Sequence, residues 1–274
     1  MKFKSYLPRI PIYVFLIIIS ILALVPFYMM IVMGTYYSED LYTGIKLWPG
    51  DYFRQNLHTV LKQDYFSFYR NSITISVTHT FGAVLICALA GYAFSKFRFK
   101  GRNTLLAFVV ATIAIPPQVG LVGFVVEMRI LGWINTLLPL IFGGMSSAFA
   151  VFWLTQYMNA AVPLEIIESG RIDGCSEFGI FFRLVVPIIK PSIITISLLL
   201  FLWSWNNYMT PLVVITDQKL YTIPLSIALL AGEYRVDYAA RVLALAMGTI
   251  PIVVMFAFGS KHLIRGLVAG AIKG

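Results

Sequence analysis

Five stretches of this chain, 10–38, 71–95, 103–126, 130–164 and 191–216, each run for more than twenty residues without a charged side chain. A helix rising 1.5 Å per residue needs roughly 20 mostly apolar residues to cross the hydrocarbon of a bilayer. A shorter sixth run, 242–260, is just long enough, whereas 220–232 is too short and reads as a loop or surface segment. In lipid every backbone N–H and C=O must be paired internally, which leaves helices or closed barrels. These runs do not alternate polar with apolar, so barrel strands of about ten residues are excluded. The expectation is an all-α polytopic membrane protein with six transmembrane helices, in one transmembrane domain covering residues 1–274. A composition 59% hydrophobic and 12% charged belongs to that class.

The start, MKFKSYLPRIPIYVFLIII, resembles a signal peptide, with Lys2, Lys4 and Arg9 before an apolar block. That block exceeds a signal core of roughly 7–15 residues and no small-x-small site follows, so it reads as an uncleaved first span. Lys and Arg in short loops set orientation. Lys96, Arg98, Lys100 and Arg102 crowd the loop between spans two and three and assign it to the cytoplasm. The N-terminal cluster and Lys261, Arg265 and Lys273 lie an even number of crossings away and agree, so both termini are expected inside. The net charge of +9 then faces anionic lipid and calls for no nucleic acid. Cys87 falls mid-span and Cys175 in a cytoplasmic segment, so neither a disulfide nor a metal site is expected. The outer connections, 35–70 and 217–240, contain turn signals in WPGDYF, YTIP and GEY, and the first is long enough for a small docking element.

One segment does not suit lipid. EIIESGRIDGCSEFGIFFRLVVPIIKP, residues 165–191, carries Glu165, Glu168, Arg171, Asp173, Glu177, Arg183 and Lys190 between two uncharged runs. Pro163 suits a helix first turn, and Leu164, Ile167 and Arg171 share a face. Asp173 and Gly174 signal a turn, after which Ser176 is placed to cap a second helix. Phe178, Phe181, Phe182 and Val185 follow at i, i+3, i+4 and i+7 as an apolar stripe. Pro187 and Pro191 are expected to break the chain before span five. Two short amphipathic helices at the cytoplasmic surface result. They either rest in the headgroups or dock on a protein, and a polar face mixing acids with bases suits the protein better than lipid.

The stretch ESGRIDGCSEFGIFFRLVVP resembles the EAA motif of ABC importer permeases. Glu168 matches its glutamate, Asp173 and Gly174 its "DG", Arg183 a common basic position and Pro187 the closing proline. Ser169 and Gly170 stand where Ala-Ala is usual, and Leu184 and Val186 where Ile/Leu is usual. YRNSITIS, LAGYAFSKFRFKGR, WSWNNYMTPLVVI, YTIPLSIALL and the ending LIRGLVAGAIKG are similar to carbohydrate importer permeases, in particular their MalG-like subunit, from about residue 10 to the end. The resemblance implies a type I importer permease fold in a bacterial or archaeal cell membrane. Residues 163–187 would be a coupling loop seated in a cleft of a cytoplasmic ATPase, through Glu168, Asp173, Gly174, Phe178, Phe181, Phe182, Arg183 and Pro187. Gly174 would allow a turn that a Cβ obstructs, the phenylalanine stripe would seat the loop, and the 269–274 tail would reach towards the ATPase dimer. Implied partners are a second permease in a heterodimer, that ATPase dimer, an extracytoplasmic sugar-binding protein and the lipid bilayer. ATP and Mg would be bound on the ATPase, with no cofactor on this chain.

The residues agree with a non-catalytic subunit. There is no G-x-x-x-x-G-K-[ST] phosphate loop, H-E-x-x-H or G-x-S-x-G, and His58, His79 and His262 lie far apart. No catalytic or metal-binding residue is therefore expected, and His79 reads as a packing or interhelical hydrogen-bonding residue. An intramembrane enzyme is disfavoured by the missing motifs. A polyamine importer is disfavoured by spans without acids, while a peptide cargo stays open. In span five, Trp203, Asn206, Asn207 and Thr210 share a face at i, i+3, i+4 and i+7. Amides and an indole suit a neutral sugar, and interhelical hydrogen bonding is the rival reading. Pro116 and Pro117 in IPPQVG remove two backbone donors and kink span three. Glu127 and Arg129 are expected at the outer interface.

Overall fold

The computed structural model describes residues 10–230 and 237–271, with side chains other than 258 and 260–271. Lys2, Lys4 and Arg9, the side chains of Lys261 and Arg265, the turn at Gly232, Glu233 and Tyr234, and residues 272–274 of the tail lie outside this description. The described residues form helices and connecting turns and no strand. They divide into two compact units: Met1–Phe66 with Ser226–Ile250, and Ser67–Leu225 with Pro251–Gly274.

Among the described residues, four helical stretches are long and apolar enough to cross a membrane: Ile10–Met33, Tyr65–Lys96, Glu177–Trp205 and Tyr238–Ala257. We label the helices α1 (Ile10–Met33), α2 (Phe53–Leu61), α3 (Tyr65–Lys96), α4 (Arg102–Ala111), α5 (Leu121–Ile130), α6 (Leu138–Phe142), α7 (Ala148–Ala161), α8 (Leu164–Ile172), α9 (Glu177–Ile180), α10 (Val186–Trp205), α11 (Met209–Val214), α12 (Ile223–Leu229) and α13 (Tyr238–Ala271). Span three is broken rather than merely kinked. Arg102–Ala114 and Pro117–Ile130 meet at 94°, and together they count as a fifth candidate crossing. The expected span 130–164 is divided into α6 and α7 by Gly143 and Gly144. The 14 residues of α7 reach only about 21 Å, short of the hydrocarbon thickness.

In the first unit, the hydroxyl of Ser38 donates to Asp237 at 2.6 Å and accepts from Ala239 N, while Asp237 accepts from Ala240 N. This pair caps the start of α13. Helix α1 exposes almost all of its apolar surface, and Val32 in its last turn is its one buried residue.

The second unit has a core from α3, α7 and the 167–200 region: Cys87, Leu154, Met158, Ile167, Ile180, Val185, Ile189 and Ile196 are fully buried. Gly91 lets α3 approach α7, where an added Cβ would stand 3.1 Å from Leu154 Cβ and 3.2 Å from Thr155 N. Trp153 Nε1 donates to Ser192 Oγ at 2.9 Å, tying α7 to α10.

Pro187 and Pro191 do not break the chain before span five. The backbone N–H of Val186 bonds to Phe181 O, an i to i+5 turn over Phe181–Val185, and the helix passes both prolines. The wider turn absorbs the missing proline donor, as π turns inside helices commonly do. The second helix of the charged segment is therefore the first part of the Glu177–Trp205 stretch.

Candidate functional site

The charged segment is built from α8, a turn and α9. Helix α8 ends in paired terminal bonds, Cys175 N to Gly170 O at 2.9 Å and Gly174 N to Arg171 O at 3.1 Å, with Gly174 at φ +75°. This left-handed closure is a Schellman cap, whose conformation favours glycine. A Cβ at Gly174 would obstruct this turn, as expected, through the left-handed backbone angle and not through a neighbour, since nothing else lies within 4 Å of that position. At Gly170, by contrast, an added Cβ would stand 3.1 Å from Ile180 and Leu184, so α8 rests closely on the following helix. Ser176 caps α9 as expected, accepting from Gly179 N at 3.1 Å.

Across the turn, Arg171 Nε donates to Glu177 Oε1 at 2.6 Å, and the Tyr92 hydroxyl donates to Glu177 Oε2 at 3.1 Å. The guanidinium also lies 5.6 Å from the centre of the Phe97 ring. Its hydrogen bond to Glu177 raises Arg171 above the ordinary arginine pKa. The ion pair is about 40% exposed on both sides and contributes at most about 1 kcal/mol. It sets direction more than stability, aligning α8 with α9 and α3.

The phenylalanine stripe is divided. Phe181 and Val185 are buried at 1% and 0% exposure, with Phe181 against Tyr92 at 5.4 Å between ring centres. Phe178 and Phe182 are 67% and 50% exposed. The buried face centres on Ile180, Phe181 and Val185, and leaves Phe178 and Phe182 at its edge. Glu168, Asp173, Gly174, Arg183 and Pro187 are all exposed. Ile172 is 86% exposed beside them and was not singled out in the sequence. A large aliphatic residue at a helix end among charges was its signal.

The span-five residues do not share one helix. Helix α10 ends at Trp205, residues 206–208 are irregular, and α11 starts at Met209. Pro211 carried the missed signal, because it cannot donate to the carbonyl four residues earlier at Asn207. The four residues nonetheless converge. Trp203, Asn207 and Thr210 line a cavity of about 580 Å³ with His79, Phe124, Ser146, Ser147 and Ser204. A second cavity, about 540 Å³, adds Asn206, Gln118 and Tyr208 to Trp203, Asn207 and Thr210. Both are bordered by Pro117 and Leu121 of the broken span three, and no lining residue is charged.

The hydrogen bonds of the four are local. Asn206 Nδ2 donates to Leu202 O at 2.9 Å, while Asn207 Nδ2 donates to Thr210 Oγ1 and Asn207 Oδ1 accepts from Thr210 N. Asn207 thus closes the start of α11. Among the described residues none of the four bonds to another span, and the Trp203 ring is half exposed, edge-on to Phe149 at 5.5 Å.

Residues 82–268 match the family described as "Binding-protein-dependent transport system inner membrane component". The chain belongs to that family. It is 31% identical to the trehalose/maltose transport system permease protein MalG of Thermococcus litoralis, with 99% of each chain covered. It is 33% identical to the arabinooligosaccharides transport system permease protein AraQ of Halalkalibacterium halodurans, over 77% of this chain and 75% of that one. It is 27% identical to the lactose transport system permease protein LacG of Rhizobium radiobacter, over 98% of both. The fold matches a solved bacterial ABC transporter involved in import of the acidic polysaccharide alginate. The TM-score is 0.76 at 21% identity, covering 95% of this chain and 98% of that one. The importer-permease resemblance read from the sequence is borne out.

Proposed function

We propose that this family member is the non-catalytic permease subunit of an ATP-driven sugar importer. It pairs with a second permease, an ATPase dimer that binds ATP and Mg, and an extracytoplasmic sugar-binding protein. Its own share of the path is the uncharged cavity at which two interrupted helices meet. That cavity carries the reading. Irregular backbone at membrane depth is stable only where it is covered by protein or lines a wet cavity, and this one presents an indole, amides and hydroxyls without a charge. Such a surface suits a neutral polyol, and the named sugar-transport relatives support the cargo class.

In this reading the chain crosses a bacterial or archaeal cell membrane six times with both ends inside. Helices α6 and α7 together supply the crossing that neither makes alone. The α8–α9 segment lies in the cytoplasm and seats on the ATPase through Glu168, Asp173, Ile172, Phe178, Phe182 and Arg183. Gly174 and Pro187 shape its ends. ATP-driven closure of the ATPase dimer moves this segment, and because it continues into α10 the motion reaches the wall of the cavity. Phe181 takes no part in seating, being inside the chain's own core.

The assembled complex, reconstituted in liposomes, tests the proposal. ATP hydrolysis should rise on adding sugar-loaded binding protein, and sugar should accumulate. The permease pair without the ATPase should hydrolyse nothing. Hydrolysis indifferent to the binding protein, with no accumulation, would refute the importer assignment.

A further inference from the structure

His79 stands near the middle of α3, about 91% buried, in the wall of the larger cavity with Trp203, Asn207 and Thr210. Its Nδ1 lies 2.9 Å from Ile141 O at the end of α6. A carbonyl oxygen only accepts, so Nδ1 carries the proton. In the neutral ring Nε2 is then left with a lone pair and no hydrogen, the tautomer being fixed by the bond at the other nitrogen. Nε2 has no hydrogen-bond partner among the described residues. It is also not one of the sealed unpartnered side-chain atoms, which are Ser76 Oγ, Thr80 Oγ1 and Thr222 Oγ1. His79 itself borders the cavity.

We infer that His79 is a substrate-binding residue, its Nε2 accepting a hydroxyl hydrogen of the sugar. This rests on the substrate-path reading of the cavity and gives it a second wall. The Asn207 amide in the same cavity is committed, both of its ends being held by Thr210. A rigid acceptor lining the same cavity as Trp203 selects a group that can donate. The bond to Ile141 O fixes which nitrogen of the neutral ring bears the hydrogen.

The experiment uses the assembled transporter, with uptake of labelled maltose, trehalose, lactose and arabinotriose measured first. The sugar taken up serves as the probe. His79→Asn places an amide donor near the Nδ1 position, keeping the tether to Ile141 and removing the Nε2 acceptor. His79→Gln offers an oxygen near the Nε2 position. His79→Asn should assemble in normal yield and raise the transport KM about two- to twelvefold, the range of one lost hydrogen bond. The maximal rate should hold, and His79→Gln should recover part of the KM. If Asn206→Leu impairs uptake while His79→Asn leaves KM unchanged, the path reading stands and the His79 assignment falls. If His79→Asn lowers yield and uptake in step, the residue is only a tether. If neither variant affects uptake, or the wild type takes up no sugar of the panel, the path reading falls and His79 with it.

Discussion

Phe178 and Phe181 are three residues apart and do opposite things. Phe181 is enclosed by Tyr92 and Phe182, so Phe181→Ala leaves a cavity in the chain's own core and should cost about 3–5 kcal/mol. The measurable result is a lower yield and melting temperature of the extracted complex. Phe178 is 67% exposed, so Phe178→Asp should change stability by no more than about 0.5 kcal/mol. On the proposed docking face it should instead abolish stimulation of ATP hydrolysis by sugar-loaded binding protein. A fully coupled Phe178→Asp complex would show that the segment only rests on lipid. Asn206 poses the matching question in the cavity. Asn206→Leu gives up the bond to Leu202 O at a helix end and removes an amide from the cavity wall. Uptake should fall about two- to twelvefold while complex yield and basal hydrolysis persist. Yield that falls in proportion to uptake would instead assign Asn206 to contact with the partner permease, where an interhelical bond is worth about 0.6 kcal/mol.

At the scale of elements, the Schellman turn after α8 decides whether the segment keeps its shape. A side chain at φ +75° costs about 1–2 kcal/mol, more for a β-branched one, although there is space for it. Gly174→Val should therefore uncouple ATP hydrolysis from the binding protein without preventing insertion, and Gly174→Asn should remain close to wild type. Equal effects of the two would mean that bulk rather than backbone angle is at fault. This turn and the Ser176 cap were legible because glycine and serine announce local backbone needs. The long helices were legible because charge is excluded from lipid. The i to i+5 turn was not, because a period-3.6 reading runs straight through Phe181–Val185 and a proline without its donor at Pro187 reads as a breaker. Missing donors at Pro116 and Pro117 announced a bend, but not its 94° angle, which depends on packing. The convergence of Trp203, Asn206, Asn207 and Thr210 was anticipated on a continuous helix that does not exist, whereas the interhelical hydrogen bond expected of His79 is present, to Ile141 O. A cavity wall drawn from α3, the broken span and the α10–α11 interruption has no signature in local sequence.

For the whole molecule, the open question is which side of the membrane each loop occupies, and the two cysteines answer it without added reporters. Cys87 is fully buried and Cys175 exposed just beyond α8. The proposed arrangement of six crossings with both ends inside puts Cys175 in the cytoplasm and Cys87 within a span. A membrane-impermeant maleimide should then leave intact cells unlabelled and label inside-out vesicles, with Cys175→Ser abolishing the signal and Cys87 silent from either side. Assembly with the ATPase should slow the labelling, because the exposed Ile172 and Phe178 beside Cys175 become covered. Labelling of Cys175 from outside intact cells would reverse the α8–α9 segment, separate it from any cytoplasmic ATPase and end the coupling proposal. Outward basic loops would also then contradict the clustering of Lys96, Arg98, Lys100 and Arg102, whose charge favours the cytoplasmic face of a membrane.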